Sequence, residues 1–189
     1  QTITMDADKT VTATFVEMQP ETVYLDGPVA YGIMESGSTL SIPTQTGAGQ
    51  NRLMLVGVSY NCSGSTAPRP NITSVTFTPD GGSALALDLV IDETSPPDQT
   101  EDPGRKAAIY ALNPSLNPAA STAGVVEVTF SGSFTSGAVA GVAHFQGVDQ
   151  TTPLGTPGGA GTAANADDTL SVTLTTSGKE LVFDTVWTG

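Results

Sequence analysis

The residues best suited to chemistry are the acidic ones between positions 92 and 105, DETSPPDQTEDPGR. Asp92, Glu93, Asp98, Glu101 and Asp102 lie there among three prolines. Hard oxygen donors crowded in one loop suit Ca²⁺, and a pair of carboxylates is also the minimum equipment for hydrolysing a glycosidic bond. The stretch has no aromatic residue on which a sugar ring could stack, and it matches no EF-hand or nonapeptide calcium repeat. A solvated acidic loop is the simplest reading, a Ca²⁺ site the next, and no other cofactor is expected. The prolines predict a loop across the whole stretch.

Other catalytic groups are scarce. His144 is the single histidine, so a zinc site with two or three imidazoles is excluded. It lies between Ala143 and Phe145 in an apolar run, where a packed, hydrogen-bonded strand residue is expected. No G-x-S-x-G string occurs, and a nucleophile–histidine–acid triad would have to be assembled around His144. Cys62 is the only cysteine, which excludes an intrachain disulfide and reads as a small buried hydrophobe. No catalytic set emerges, and a non-enzymatic protein is expected.

Sugar recognition by stacking would need exposed aromatic faces. Trp187 is the one tryptophan, in an apolar run at the chain end where core or interface is expected, and the tyrosines are Tyr24, Tyr31, Tyr60 and Tyr110. Asn61-Cys62-Ser63 and Asn71-Ile72-Thr73 match the N-glycosylation sequon, a short pattern that matters only in a host that glycosylates its surface proteins.

These residues need a scaffold, and composition narrows it. Six Lys and Arg against 19 Asp and Glu leave a net charge of −13 in 189 residues. That balance argues against nucleic acid and against anionic lipid. No apolar run reaches the length of a membrane span. Only 13% of residues are charged, so Thr, Ser, Gly, Asn and Gln must cover the surface. Thr-rich strand faces of this kind suggest an extracellular or cell-surface β protein. The chain opens inside a strand pattern without an initiator Met, as expected of a piece of a longer precursor.

Strands are predicted by two-residue alternation between turn signals. They fall at Thr22–Leu25, Val29–Met34, Thr39–Ile42, Arg52–Tyr60, Ile72–Phe77, Ala84–Ile91, Lys106–Leu112, Gly124–Phe130, Gly137–Val148, around Leu170–Leu174, and at Leu181–Trp187. Arg52–Tyr60 is apolar on both faces, the mark of a central strand covered on both sides. Leu85, Leu87 and Leu89 are expected on one face. Pro79-Asp80-Gly81-Gly82 predicts a hairpin turn, and Asn113–Pro118 a double Asn-Pro turn. No helical apolar stripe occurs. The fold class is all-β: an antiparallel β-sandwich, jelly-roll or Ig-like.

Residues 1–18 read as a separate N-terminal strand segment ahead of a sandwich at 19–189. Val11, Ala13 and Phe15 share one face, with Thr10, Thr12 and Thr14 on the other. ITMDADKTVTATF, residues 3–15, resembles the closing hairpin of divergent internalin-type B repeats of bacterial surface proteins. An isolated hairpin is marginal in water, so this segment must dock on its own domain or on a neighbour.

From Arg52 onward the order of features resembles a jelly-roll-like module of large secreted and surface bacterial proteins, of the GVDQTTPLGT type. The matching pieces are Asn51–Ser59, Ser74–Leu87, Ile109–Asn113, Gly124–Gly132, Gly141–Thr156 and Leu181–Val186. Such modules continue further, so the resemblance implies a sandwich that lacks a C-terminal strand. A strand from outside would fill the gap. The expected donor is residues 1–16 through Val11, Ala13 and Phe15, and the expected acceptor edge is near Leu181, Phe183 and Trp187. Expected partners are copies of the chain or adjacent modules. The functional expectation is a structural subunit or stalk of a surface assembly such as a filament, with a carbohydrate-binding or adhesive module as the alternative.

Overall fold

Strand β4, Leu53–Asn61, occupies the centre of the molecule, and Leu53 to Tyr60 are all buried. Alternation turns Met54, Val56, Val58 and Tyr60 to one side and Leu53 and Leu55 to the other, and each set enters a different apolar cluster. The description is of a computed structural model and covers residues 22–61, 70–95, 105–134, 137–160, 171–176 and 180–186.

Among the described residues nine strands, β1 Tyr24–Leu25, β2 Ala30–Met34, β3 Gly37–Gln45, β4, β5 Ile72–Pro79, β6 Leu85–Ser95, β7 Arg105–Leu112, β8 Ala123–Phe134 and β9 Ala138–Gln146, form one curled antiparallel sheet. The order is β1-β9-β4-β7-β6-β5-β8-β3, with β2 also on β9. Strand β6 belongs to both layers: Leu85 and Ala86 pair with β5, and Leu87 onward with β7. The result is an antiparallel β-sandwich, as the alternation pattern implied. One layer is β1/β2-β9-β4-β7-β6, and the other is β5-β8-β3 with the start of β6.

The main core lies between the layers. Phe77, Val126, Val128, Ile42, Val56, Val142 and Leu112 have no measurable exposure there. Tyr60 and Phe130 meet edge-to-face across it, with centroids 5.1 Å apart. Val126, Val128 and Phe130 face inward while Glu127 is exposed, the alternation expected of β8. Each fully buried aliphatic or aromatic side chain contributes about 1.5–3 kcal/mol relative to exposure, so this layer dominates stability.

Three expectations need correction. The stretches around Leu170–Leu174 and at Leu181–Trp187 are not strands where they are described, at 171–176 and 180–186. Residues 180–186 cross a face of β4 and β9, both of whose ladder sides are filled, with Phe183 on Phe145 and Thr185 and Val186 on Ser59, while Val172 and Leu174 lie against Gly158. The acidic stretch is not loop from its start, because β6 runs to Ser95 and carries Asp92 and Glu93 opposite Ala108 and Ala107. Leu89 keeps the face of Leu87, since the pairs Leu87–Leu112 and Leu89–Tyr110 preserve the alternation, but it is 51% exposed where Leu87 is buried, and the register shift follows it, between Leu89 and Ile91. Within the Asn-Pro turn, Pro114–Leu116 forms a short 3-10 turn, with Asn113 Oδ1 accepting from the Ser115 N–H.

Candidate functional site

His144 is on the inner face of β9, opposite Met54, and is 3% exposed. Its Nε2 lies 3.0 Å from Thr44 Oγ1 on β3, so the pair ties one layer to the other. Burial holds the imidazole below its ordinary pKa; the Arg52 charge acts in the same direction and the Asp26 charge opposes it. A neutral, enclosed ring with its hydroxyl partner has no face for a substrate.

Asp26 completes the arrangement without forming a triad. Its carboxylate accepts the N–H groups of Ala48 (3.2 Å) and Gly49 (2.9 Å), and its own N–H donates to the His144 carbonyl at 2.7 Å. The loop between β3 and β4 presses closely on it: a Cβ at Gly47 would lie 1.9 Å from Asp26 Oδ2. Arg52 donates to the carbonyls of Gly49 and Pro118, and the Asn117 side chain donates to the Arg52 carbonyl at 2.6 Å. These polar groups brace three loops at one end of the sandwich.

The carboxylates expected to gather do not do so where they are described. Asp92 and Glu93 are consecutive strand residues, so their side chains leave opposite faces of β6. Asp98, Glu101 and Asp102 lie outside the described residues. No group of three or more His, Cys, Asp or Glu able to hold a metal occurs among the described residues. Asp92 adds to burial, the larger cause, in raising the Tyr110 pKa. Asp149 caps its own turn by accepting the Thr151 and Thr152 N–H groups, which lower its pKa.

Asn61 ends β4, and the rest of its sequon lies outside the described residues. Asn71 is exposed, and its Oδ1 accepts from Lys106 Nζ. Val11, Ala13, Phe15, Cys62 and Trp187 also lie outside the described residues.

Two features of the larger layer's outer face were not legible beforehand. The first is an apolar cleft of about 200 Å³ between that face and the C-terminal segment, with Leu53, Leu55, Ile109 and Phe145 on the sheet side. Leu181 and Phe183 line the opposite side. Phe183 meets Phe145 edge-to-face at 6.1 Å. Ser59 Oγ lies 2.9 Å from Thr185 Oγ1 and donates to the Val186 carbonyl at 3.1 Å. Gly57 makes the crossing possible, because a Cβ there would be 3.1 Å from the Thr185 Cβ and 3.3 Å from the Phe183 ring. Leu181 and Phe183 therefore sit on a face of the sheet, not at the edge expected to accept a strand. The doubly apolar β4 was the one signal that such a cover existed.

The second feature is the β2 edge. Tyr31 and Ile33 are 72% and 65% exposed. They stand opposite Gly141 and Val139 of β9, and Val139 is itself 43% exposed. Among the described residues β2 pairs only with β9, so its other backbone edge has no ladder partner. The second sheet edge, β3, carries Pro43 in mid-strand and a register shift between Gly37 and Thr39, both of which obstruct strand addition. The outer face of the smaller layer is polar, with rows such as Ser41–Glu127–Thr76.

No family model and no curated protein matches this chain. A solved structure, the CBM3a-L domain with flanking linkers from scaffoldin cipA of the cellulosome of Clostridium thermocellum, aligns with 65% of this chain and 68% of that one. The identity is 11% and the TM-score 0.21. A likeness of this size leaves the role to be argued from the chain's own residues. No helix among the described residues is long and apolar enough to cross a membrane.

Proposed function

We propose that the chain is a non-enzymatic structural module, a subunit or stalk domain, of an extracellular or cell-surface assembly, joined to its neighbours by strand addition. The observation that carries this reading is the β2 backbone edge that has no ladder partner among the described residues, beside exposed Tyr31 and Ile33. An added strand would complete the ladder and bury two large side chains in one step, which is how β-augmentation combines affinity with register. The linking segment is residues 1–16, with Val11, Ala13 and Phe15 as anchors. The acceptor is β2, in place of the C-terminal stretch. Head-to-tail addition that does not close produces a filament.

The test is light scattering with negative-stain microscopy on the full chain and on a chain lacking residues 1–16. Polymers from the full chain only support the reading. Monomers of equal stability from both would refute strand exchange.

A second reading, a glycan-binding or adhesive module, draws on Tyr31 alone. Its exposed ring stands opposite Gly141, which has no side chain, and a pyranose stacks on such a flat aromatic surface. Quenching of tyrosine fluorescence by soluble glycans in the full chain, lost in Tyr31→Ala, would favour it.

A further inference from the structure

We propose that Lys106 and Asn71 join covalently, with Lys106 Nζ forming an amide to Cγ of the Asn71 side chain, so that the two layers are cross-linked within one chain. This cross-link does not depend on how the β2 edge is used.

The two groups meet between the layers. Lys106 is the second residue of β7, in the larger layer, and Asn71 immediately precedes β5, in the smaller one. Lys106 Nζ donates to Asn71 Oδ1, so the amine sits beside the carbonyl group whose carbon it attacks. Both backbones are fixed. Lys106 is in the ladder on both sides, opposite Tyr60 of β4 and Thr94 of β6. The Asn71 N–H donates to Ser131 Oγ at 3.0 Å, and its carbonyl accepts the Ser131 N–H at 2.8 Å. Tyr60, opposite Lys106, packs edge-to-face on Phe130, opposite Ile72, and the rings set the spacing of the two layers next to the pair. Holding two reactive groups in this way turns a bimolecular encounter into an intramolecular one and removes much of its entropic barrier.

The atoms balance without an oxidant, a reductant or a second substrate. The Lys106 ammonium first gives up a proton. The lone pair on Nζ attacks Cγ of Asn71, the carbonyl π pair moves to Oδ1, and the Nζ–Cγ bond forms. Nζ passes one of its two remaining protons to Nδ2. The carbonyl re-forms, the Cγ–Nδ2 bond breaks, and Nδ2 leaves as ammonia. Asn71 is exposed, so the ammonia departs into solvent. A carboxylate to carry the protons lies on the same face. Asp92 is opposite Ala108, two residues from Lys106, and alternation turns Asp92, Lys106 and Tyr110 to one side of the sheet. The charge of Asp92 acts on Tyr110, one of its diagonal neighbours. Lys106 is the diagonal neighbour on the other side, a position within reach of a long side chain.

The test is peptide mapping by tandem mass spectrometry on the denatured full chain, digested with trypsin and chymotrypsin. The expected result is a branched peptide that joins Asn71 to Lys106, uncut after Lys106 and lighter than its two parts by one ammonia. The branched peptide is the decisive species, because cyclisation of Gln1 would also release ammonia from the whole chain. Lys106→Arg keeps the charge without the nucleophilic amine, and should give only linear peptides from a chain whose circular dichroism is unchanged. Asp92→Asn should slow formation of the branched peptide by about a hundredfold, again with unchanged circular dichroism. An unchanged rate would remove Asp92 from the step and leave the cross-link standing. Recovery of Asn71 and of Lys106 with a free amine in separate linear peptides from the folded native chain would overturn the cross-link.

Discussion

His144 and Thr44 are 100 residues apart in sequence and meet at 3.0 Å across the interior of the sandwich. The bond spans the two layers at the end where Asp26 and Arg52 hold the loops, so the imidazole reports on how well the layers stay together.

That position makes stability sensitive to mild acid. The folded-state pKa of His144 lies below its ordinary value, so the unfolded chain takes up the proton first. The stabilisation is fully present above about pH 6.5, the unfolded value, and declines as the pH falls toward the folded value. One such proton gives a limiting slope of about 1.4 kcal/mol per pH unit. Urea midpoints for the native chain and His144→Asn from pH 8 to pH 5 check this: the native midpoint should fall and the variant's should change less. Parallel curves would exclude His144 as the cause.

Thr44→Val keeps the side-chain shape and removes the hydroxyl. It leaves a buried ring nitrogen without this partner, at a cost of about 1–3 kcal/mol. Thr39→Val, on the exposed face of the same strand, should change stability by less than about 0.5 kcal/mol. Equal effects would show that the bond across the layers contributes little.

Gly57→Val tests the C-terminal cover. The new side chain would occupy the space of Phe183 and Thr185, while the sheet beneath keeps its ladder. The expected result is early proteolysis near residues 180–186 and increased binding of an apolar dye to the uncovered Leu53, Leu55 and Phe145, with β-sheet circular dichroism retained. Ser59→Ala should loosen the same segment more mildly, by about 0.5–1.5 kcal/mol. Unchanged cleavage in both variants would show that neither contact holds it.

Phe77→Ala should cost about 3–5 kcal/mol, because Phe77 has no measurable exposure and lies in the main core. A lower denaturation midpoint with an unchanged slope is the expected signature. Glu127→Gln, exposed on the neighbouring strand β8, is the matched control and should leave the midpoint nearly unmoved.

Much of this architecture follows from local pattern. Alternation in Gly124–Phe130 and the double-sided apolar run in β4 mark strands because strand side chains point alternately to opposite faces, whatever lies opposite. Both readings therefore survive into the folded sandwich. So does the reading of His144 as a packed residue, which follows from its two apolar neighbours.

Tertiary structure decided what pairs with what. Thr44 as the partner of His144, and Asp26 as the acceptor for Ala48 and Gly49, depend on layer stacking that no short window of sequence contains. Leu181–Val186 has an apolar composition suited to a strand, yet it lies across a face because the ladder positions of β4 are already filled by β7 and β9. Asp92 and Glu93 look clustered in sequence and are separated by the pleat. Composition and alternation determine which residues avoid water and where strands form, since those preferences act locally. Edges, covers and cross-layer bonds are settled only when the strands compete for one another's backbone groups and the layers close.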